Sequence, residues 1–418
     1  MPQEAASRHS PPRRAPLHSL ASRPALAVAR KLHAALDASD VRFELADGGS
    51  IGPSRTDAVA TLRFLDERAP FALALDPDLE LGDLYAQGRI AIDGSLIDFL
   101  CRTSTASGGL GGLMNRLQRS APAAWRQALG RAADNARRHY DVGNDFYSLW
   151  LDERMVYTCA YFERPELSLE EAQLAKLDHV ARKLRLRPGQ RVLELGCGWG
   201  ALALHLARHY GVTVRAFNVS VEQLAWAREQ AEKQGLASRV EFVLDDYRNA
   251  SGTYDAIASV GMLEHVGPGH YEELGRVIAR TLAPHGLGFL HTIGRSVPQP
   301  LNRWIATRMF PNAHPPALSE MMRIFEPNGF AVLDVENLRL HYERTAHHWF
   351  TRFQGSWPEI VRRVPLETAR AFELYLAGTV AAFRCAWMCL YQVVFSRAEN
   401  DAIPWTRADL YGAADGAR

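Results

Sequence analysis

Apolar residues recur at helical spacing from Leu26 to Leu36. Two short apolar runs follow, Val41–Leu45 before Asp47-Gly48 and Phe71–Leu75 before Asp76-Pro77, and both read as strands ended by turns. The stretch from Leu81 to Leu100, punctuated by Gly82, Gly88 and Gly94, closes a small α+β unit. The pattern breaks over 103–120, where Ser-Gly-Gly-Leu-Gly-Gly at 107–112 is linker chemistry. From Gly189 onward strands alternate with helices. Arg191–Leu195, Thr213–Val219, Val240–Val243, Tyr254–Val260, Gly286–Ile293, Phe330–Val335 and Leu390–Ser396 read as seven strands, with Ala201–Tyr210 and Val221–Gln234 as helices. Such alternation predicts an α/β fold whose mostly parallel sheet is covered on both faces and binds ligands at the carboxyl ends of its strands. The chain divides into an arm at 1–24, an α+β domain at 25–105, a basic linker at 106–134, a catalytic domain at 135–400 and a tail at 401–418.

Composition narrows the function. The chain has 418 residues, 47% hydrophobic and 23% charged, with a net charge of +1. That is ordinary for globular domains and argues against a nucleic-acid partner, because no basic groove stands out. Positive charge is nearly all arginine; the lysines are Lys31, Lys176, Lys183 and Lys233. Arg116, Arg119, Arg126, Arg131, Arg137 and Arg138, interleaved with Leu113, Met114, Leu117, Trp125 and Leu129, suit an anionic membrane or equally a solvated helix face. Five scattered cysteines form no CxxC or CxxH pair, so no metal is expected and reduced thiols in the cytoplasm fit. Cys385 and Cys389 sit four apart on an apolar helical pattern and read as packing. Residues 1–24 lack a signal-peptide core. The most apolar run, Ala371–Phe395, is interrupted by Glu373 and Arg384 and does not read as a membrane span.

The first chemical signal is Glu194-Leu195-Gly196-Cys197-Gly198-Trp199-Gly200, a buried strand running into a glycine turn and a helix. Glycines let the backbone approach a ligand, and amides at the helix start face it. The spacing G-x-G-x-G differs from the G-x-G-x-x-G of dinucleotide sites, since position 201 is alanine. With the preceding Glu-Leu it reads as a turn for S-adenosylmethionine (SAM), which defines a Rossmann-like class I methyltransferase. The second strand ends Phe217-Asn218-Val219-Ser220 without the acid a dinucleotide ribose takes. Gln223 is the polar group in reach, either for the ribose or as the third residue of a capping box begun by Ser220. Asp246 is placed to accept the adenine amine and Tyr247 to stack on it, unless both are turn residues.

Several further segments carry a resemblance. They are His139–Tyr147 (HYDVGNDFY), Met155–Phe162 (MVYTCAYF), Ser259–Gly267 (SVGMLEHVG), His291–Gly294 (HTIG), Tyr375–Gly378 (YLAG) and Tyr391–Arg397 (YQVVFSR). With the glycine turn they stand in one order across residues 135–400. This chain resembles the cyclopropane-fatty-acyl-phospholipid synthases and the related mycolic acid cyclopropane synthases. Its first domain, through Leu84-Tyr85-Ala86-Gln87-Gly88, resembles the N-terminal domain of the longer, phospholipid-acting members. The resemblance implies methylene transfer from SAM to the cis double bond of an acyl chain, in unsaturated phospholipids at the inner membrane surface. It implies a bicarbonate held by Cys159, Glu264, His291, Tyr342 and the backbone of Ile293. It also implies SAM contacts from Tyr157, Thr158 and Val260, and a homodimer. Two departures stand out. Ala216 and Asn218 replace a glycine and a threonine, touching the ribose contacts, and Phe310-Pro311-Asn312-Ala313 replaces F-P-G-G near the substrate entrance.

Other readings stay in play: a SAM-dependent C-methyltransferase giving a methyl-branched lipid, an amine N-methyltransferase, or a lipid-binding protein with a spent catalytic domain. The intact glycine turn and Glu264 argue against the last. The Cys159–Glu264–His291–Tyr342 set argues against an amine substrate.

Overall fold

The computed structural model describes residues 22–36, 39–104 and 143–411. The basic linker, most of the arm, the end of the tail and His139–Val142 lie outside the described residues. The chain forms two compact units, the first combining the N-terminal residues with Asn302–Trp304 and Val364–Ala381.

In the first unit, helix α1 (Ser22–Ala35) precedes Val41–Glu44 (β1), Ser50–Ile51 (β2) and Ala60–Phe64 (β3), followed by helices Ala69–Leu75 (α2) and Pro77–Ala86 (α3), Ile90–Gly94 (β4) and Leu96–Ser104 (α4). The sheet order is β2-β1-β3-β4, with β1 and β3 parallel. Phe71–Leu75 is therefore helix, not strand. A proline in the first turn presets the helical φ, and Ala69, Pro70 and Leu73 face the core at helical spacing. A five-residue apolar run does not distinguish the two states. The actual strands β3 and β4 escaped the reading because they are short and partly polar.

Gly82 on α3 lies against the Trp304 indole, where a Cβ would come within 2.3 Å of the ring. Trp304 Nε1 donates to Asp83 Oδ1 at 3.1 Å, so the ring cannot swing aside freely. Gly82→Ala gains up to about 1 kcal/mol of helix propensity but overpacks the ring at about 1–3 kcal/mol. A net loss of thermal stability is expected in a melting experiment; an unchanged or raised Tm would contradict the packing.

The second unit carries helix α5 (Leu169–Lys183), then strands Arg191–Leu195 (β5), Thr213–Asn218 (β6), Val240–Leu244 (β7), Tyr254–Val260 (β8), Leu282–Gly294 (β9), Phe330–Asn337 (β10) and Cys389–Arg397 (β11). Helices Ala201–His209 (α6), Val221–Lys233 (α7), Tyr271–Thr281 (α8), Leu318–Phe325 (α9) and Arg339–Gly355 (α10) lie between strands. The sheet runs β10-β11-β9-β8-β5-β6-β7. Only β11 opposes the others, pairing antiparallel with β9 and β10. Apolar clusters cover both faces, one around Val192, Val214 and Leu224, the other around Leu193, Ile257 and Leu274. Cys389 opens β11 and Cys385 follows the preceding helix, so the two do not share a helix as expected.

The order places β5 beside β8. The chain leaves β5 toward β6 and β7 on one side and β8 toward β9 on the other, so a crevice opens at their carboxyl ends. Helix α5 begins with a capping box in which Ser168 and Glu171 satisfy each other's backbone amides. This start sets the phase with which Gln173, Lys176, His179 and Lys183 all turn inward and become buried.

Candidate active site

A cavity occupies the crevice. Ten of the eleven expected SAM residues line it: Tyr157, Thr158, Gly196, Gly198, Asn218, Val219, Gln223, Asp246, Tyr247 and Val260. The eleventh, Gly200, does not. Its φ is +84°, and a Cβ would meet the Phe242 ring and Ala227 within 2.9 Å. Gly200 lets α6 pack on the sheet rather than admitting a ligand. Gly198, at φ +53°, lines the cavity and has open space where a side chain would be. The turn itself is tied to β6, because the amides of Gly196 and Cys197 both donate to Phe217 O at 3.0 Å.

Asn218 organises the next corner. Its Nδ2 donates to Gly198 O (3.1 Å) and Gln223 Oε1 (2.8 Å), while its Oδ1 accepts from the amides of Val219 and Ser220. The Ser220 hydroxyl accepts from the Gln223 amide at 3.3 Å, but the Gln223 side chain turns to Asn218 and the cavity instead of closing a capping box. Ala216 is fully buried in the core, whereas Asn218 is the departure that lines the cavity. Asp246 is already engaged by the Arg248 guanidinium at 2.9 Å and the Arg248 amide at 2.9 Å. That pairing weakens its reading as an acceptor for the adenine amine. Arg248 also lies 4.9 Å over the Tyr247 ring.

None of the five expected catalytic groups lines this cavity, and the contacts they make fall into two sets. In the first, Glu264 sits in a short 3-10 turn after β8 and is buried. Its Oε1 accepts from the Ile293 amide at 2.6 Å, and its Oε2 is buried without a hydrogen-bond partner. The Ile293 amide is thus taken by Glu264 rather than left for an anion. His291, paired in register with Val260, meets Gln392 of β11 at 3.1 Å through Nδ1. With the Gln392 amide donating to Nδ1, the ring proton sits on Nε2, which is buried and unpartnered. Burial pushes the Glu264 carboxyl up to about 7 and holds His291 well below its usual range, hence neutral.

The second group joins Cys159 to α10. The Cys159 thiol is fully buried, is raised well above its ordinary value by desolvation, and donates to Ala160 O at 3.2 Å. Thr345 of α10 accepts from the Ala160 amide at 3.0 Å. Tyr342, one turn earlier, stacks on Phe383 at 4.4 Å and meets Trp349 edge-on at 5.8 Å. Trp349 in turn touches Tyr157 at 5.2 Å, and Tyr157 touches Tyr147 and Trp150. A continuous aromatic wall therefore runs from the cavity to Tyr342. Near the expected entrance, Asn312 holds φ +64°. Asparagine tolerates that left-handed backbone, so it keeps the turn that a glycine would make there.

Sequence reasoning gave no site role to the wall residues Lys176, Met262 and His265, and read Glu194 only as part of the glycine-turn motif. Glu194 is buried and pushed up to about 8 by desolvation, with Oε2 unpartnered. His265 is half-buried, and desolvation pushes it down to about 4, hence neutral. Lys176 was legible in principle, as one of four lysines in an arginine-rich chain at an inward helical position.

A Rossmann-like sheet, a ligand crevice at the β5/β8 switch and a glycine turn opening into it define a SAM-dependent methyltransferase of class I. The donor set and the open space at Gly198 fit SAM. The chain belongs to the family described as mycolic acid cyclopropane synthetase, whose family model matches residues 127–393. It is 40% identical over 278 residues to the cyclopropane-fatty-acyl-phospholipid synthase of Escherichia coli K12, covering 66% of this chain and 71% of that protein. It is 34% identical over 390 residues to a probable fatty acid methyltransferase of Pseudomonas putida, covering 89% of this chain and 96% of that one. Among solved structures, the cyclopropane synthase MmaA2 of Mycobacterium tuberculosis superposes with a TM-score of 0.61 at 29% identity, over 63% of this chain and 97% of that one. The mycolic acid cyclopropane synthase CmaA1, complexed with S-adenosylhomocysteine (SAH) and CTAB, gives 0.60 at 29% identity over the same shares. The chain is accordingly a SAM-dependent enzyme of this class.

Proposed function

We propose that the protein converts the cis double bond of unsaturated phospholipid acyl chains into a cyclopropane ring. The observation that carries this reading is that two of the expected ligand atoms, Glu264 Oε2 and His291 Nε2, are buried and without a hydrogen-bond partner. One accepts and one donates, which matches an ion bearing both an O–H and an anionic oxygen. A bicarbonate held by Glu264, His291, Cys159 and Tyr342 would supply a small base. His291 is neutral and contributes a donor, and Cys159 is neutral, so neither adds a negative charge beside Glu264 and the bicarbonate.

The rest follows from what the residues do. Bound SAM supplies an electrophilic methyl group. An alkene carries no proton to remove first, so the protein's task at that stage is alignment. The charge left on the acyl chain would face the aromatic wall of Tyr157, Trp349 and Tyr342, whose ring faces favour cations. Loss of one methyl proton then closes the ring. Among the described residues no helix is long and apolar enough to cross a membrane. Substrate is therefore expected to be met at the membrane surface, and we assign the first unit and the basic linker to that contact.

The test is product mass. Purified protein is incubated with SAM and vesicles of a monounsaturated phospholipid, and the released fatty acids are analysed. Gain of one CH₂ with loss of the alkene supports the reading. Equal mass gain with the alkene retained would instead indicate methyl transfer without ring closure, giving a methyl-branched product. Unchanged lipid would overturn the lipid assignment.

A further inference from the structure

Lys176 is a buried ammonium of α5 on the wall of the SAM cavity. Its Nζ donates to Thr158 Oγ1 at 3.0 Å. One helical turn earlier, Gln173 Nε2 donates to the carbonyls of Thr158 (2.9 Å) and Val156 (3.3 Å). Asp152 accepts from the Val156 amide at 2.8 Å. The segment carrying Thr158 is thus held from both sides. The Thr158 rotamer is held as well. A Cβ on Gly261 would come within 2.8 Å of the Thr158 methyl, so the methyl packs at Gly261 while the hydroxyl faces Lys176.

The direction of the hydrogen bond decides the rest. An ammonium only donates, so the Thr158 oxygen must accept, and the hydroxyl proton must point elsewhere. Thr158 lines the cavity, so that proton is available to a ligand there. The cavity has two ends. Asp246 and Tyr247 lie past β7, whereas Thr158, Lys176 and Gly261 lie at the β5/β8 end, next to Cys159 and Glu264. The reacting sulfonium must sit at the latter end, and the amino-acid arm of SAM sits on the sulfonium. The carboxylate of that arm is the anionic group SAM offers.

We propose that Lys176 is a positioning residue that fixes the Thr158 hydroxyl as a hydrogen-bond donor to the carboxylate of the amino-acid arm of SAM. Burial lowers the amine to about 8, while Asp152, Cys159 and Glu194 draw it upward, so the donor form prevails at neutral pH. The inference rests on assigning this cavity to SAM.

The test compares two ligands by calorimetry on the full chain: SAH, which has the arm, and 5′-methylthioadenosine, which lacks it. Thr158→Val and Lys176→Met are each expected to weaken SAH about 10- to 100-fold, the scale of a charge-assisted hydrogen bond, with methylthioadenosine unchanged. Thr158→Ser retains the hydroxyl and should stay within a few-fold of wild type. In the double variant Lys176 adds little to the loss from Thr158→Val, because it acts through Thr158. Equal loss for both ligands would make Lys176 a support of the cavity walls and overturn the proposal, as would additive losses. If Lys176→Met does not fold, Lys176→Gln, which keeps a donor, takes its place: it is expected to hold SAH affinity within a few-fold, and a large loss there overturns the proposal. Failure of the wild-type protein to bind SAH would instead remove the SAM assignment itself.

Discussion

Replacing Glu264 with glutamine is expected to lower turnover about 10²- to 10⁴-fold, the range for a positioned proton-handling group, while SAM affinity stays near wild type. The reason is local. Glu264 Oε1 is held by the Ile293 amide, so a glutamine oxygen would keep that bond and aim its NH₂ where Oε2 now lies unpartnered. An acceptor becomes a donor in a buried place. The cavity wall is formed by the neighbouring His265 and not by Glu264, so SAM keeps its contacts. The pH profile gives a second readout. Burial raises the Glu264 carboxyl to about 7, so its carboxylate is lost as pH falls through that value. Wild-type activity should decline below about pH 7, and that limb should be missing from the residual activity of Glu264→Gln. Product formation measured from pH 5.5 to 8.5, with calorimetric SAM titration, checks both. An equal drop in SAM affinity would place Glu264 in the cofactor site instead.

The largest stability effect is expected at Glu336 on β10. Its Oε2 lies 2.7 Å from Lys183 Nζ and 2.8 Å from His179 Nε2, and both partners have fully buried side chains. Asp334, at 3.9 Å, is the other acid near Lys183. Burial pulls the Lys183 amine down while the pair holds Glu336 at about 2, so each group depends on the other for its charge. Glu336→Ala leaves a buried ammonium poorly compensated, at about 3–5 kcal/mol, a fall in Tm on the order of 10 °C. The sign of the pH dependence follows from the depressed carboxyl. Its contribution is complete above the unfolded value of 4.5 and is lost as pH falls toward about 2. Wild type and variant should therefore differ fully at pH 7 and converge in acid. Thermal melts from pH 2.5 to 7 check this, and a constant difference across that range would rule out the ion pair as the cause. A double replacement, Glu336→Leu with Lys183→Met, should recover much of the loss, because two apolar groups need no partner.

What the sequence disclosed depended on how local each signal was. Strand β8 and the second half of β9 are nearly continuous buried runs because both faces of their sheet are covered there, and such runs stand out next to glycine turns. Phe71–Leu75 was misread because five apolar residues carry no period, and Pro70 was the overlooked helix signal. The roles of the glycines were only half legible. Spacing marked Gly198 and Gly200 alike, but what Gly200 avoids is Phe242, a ring 42 positions later in the chain, and only the fold brings the two together. Asn218 could be placed from its position at a strand end. Lys176 stood out as a rare lysine at an inward helical position, but its role was not legible, because it lies in Thr158 and Gly261, which come from separate segments.

Strand β11 runs against its neighbours and lies between β9 and β10, although it is the last of the sheet strands in the chain. During synthesis the two strands it joins leave the ribosome well before it does. Until Cys389–Arg397 emerges, β9 and β10 each keep an unpaired edge, and His291 lacks Gln392, which fixes its tautomer. A chain whose translation stops short of this strand therefore has a SAM turn but no finished centre, and its open edges mark it for aggregation or proteolysis. The fold completes the surroundings of His291 only once the last strand of this sheet has been made.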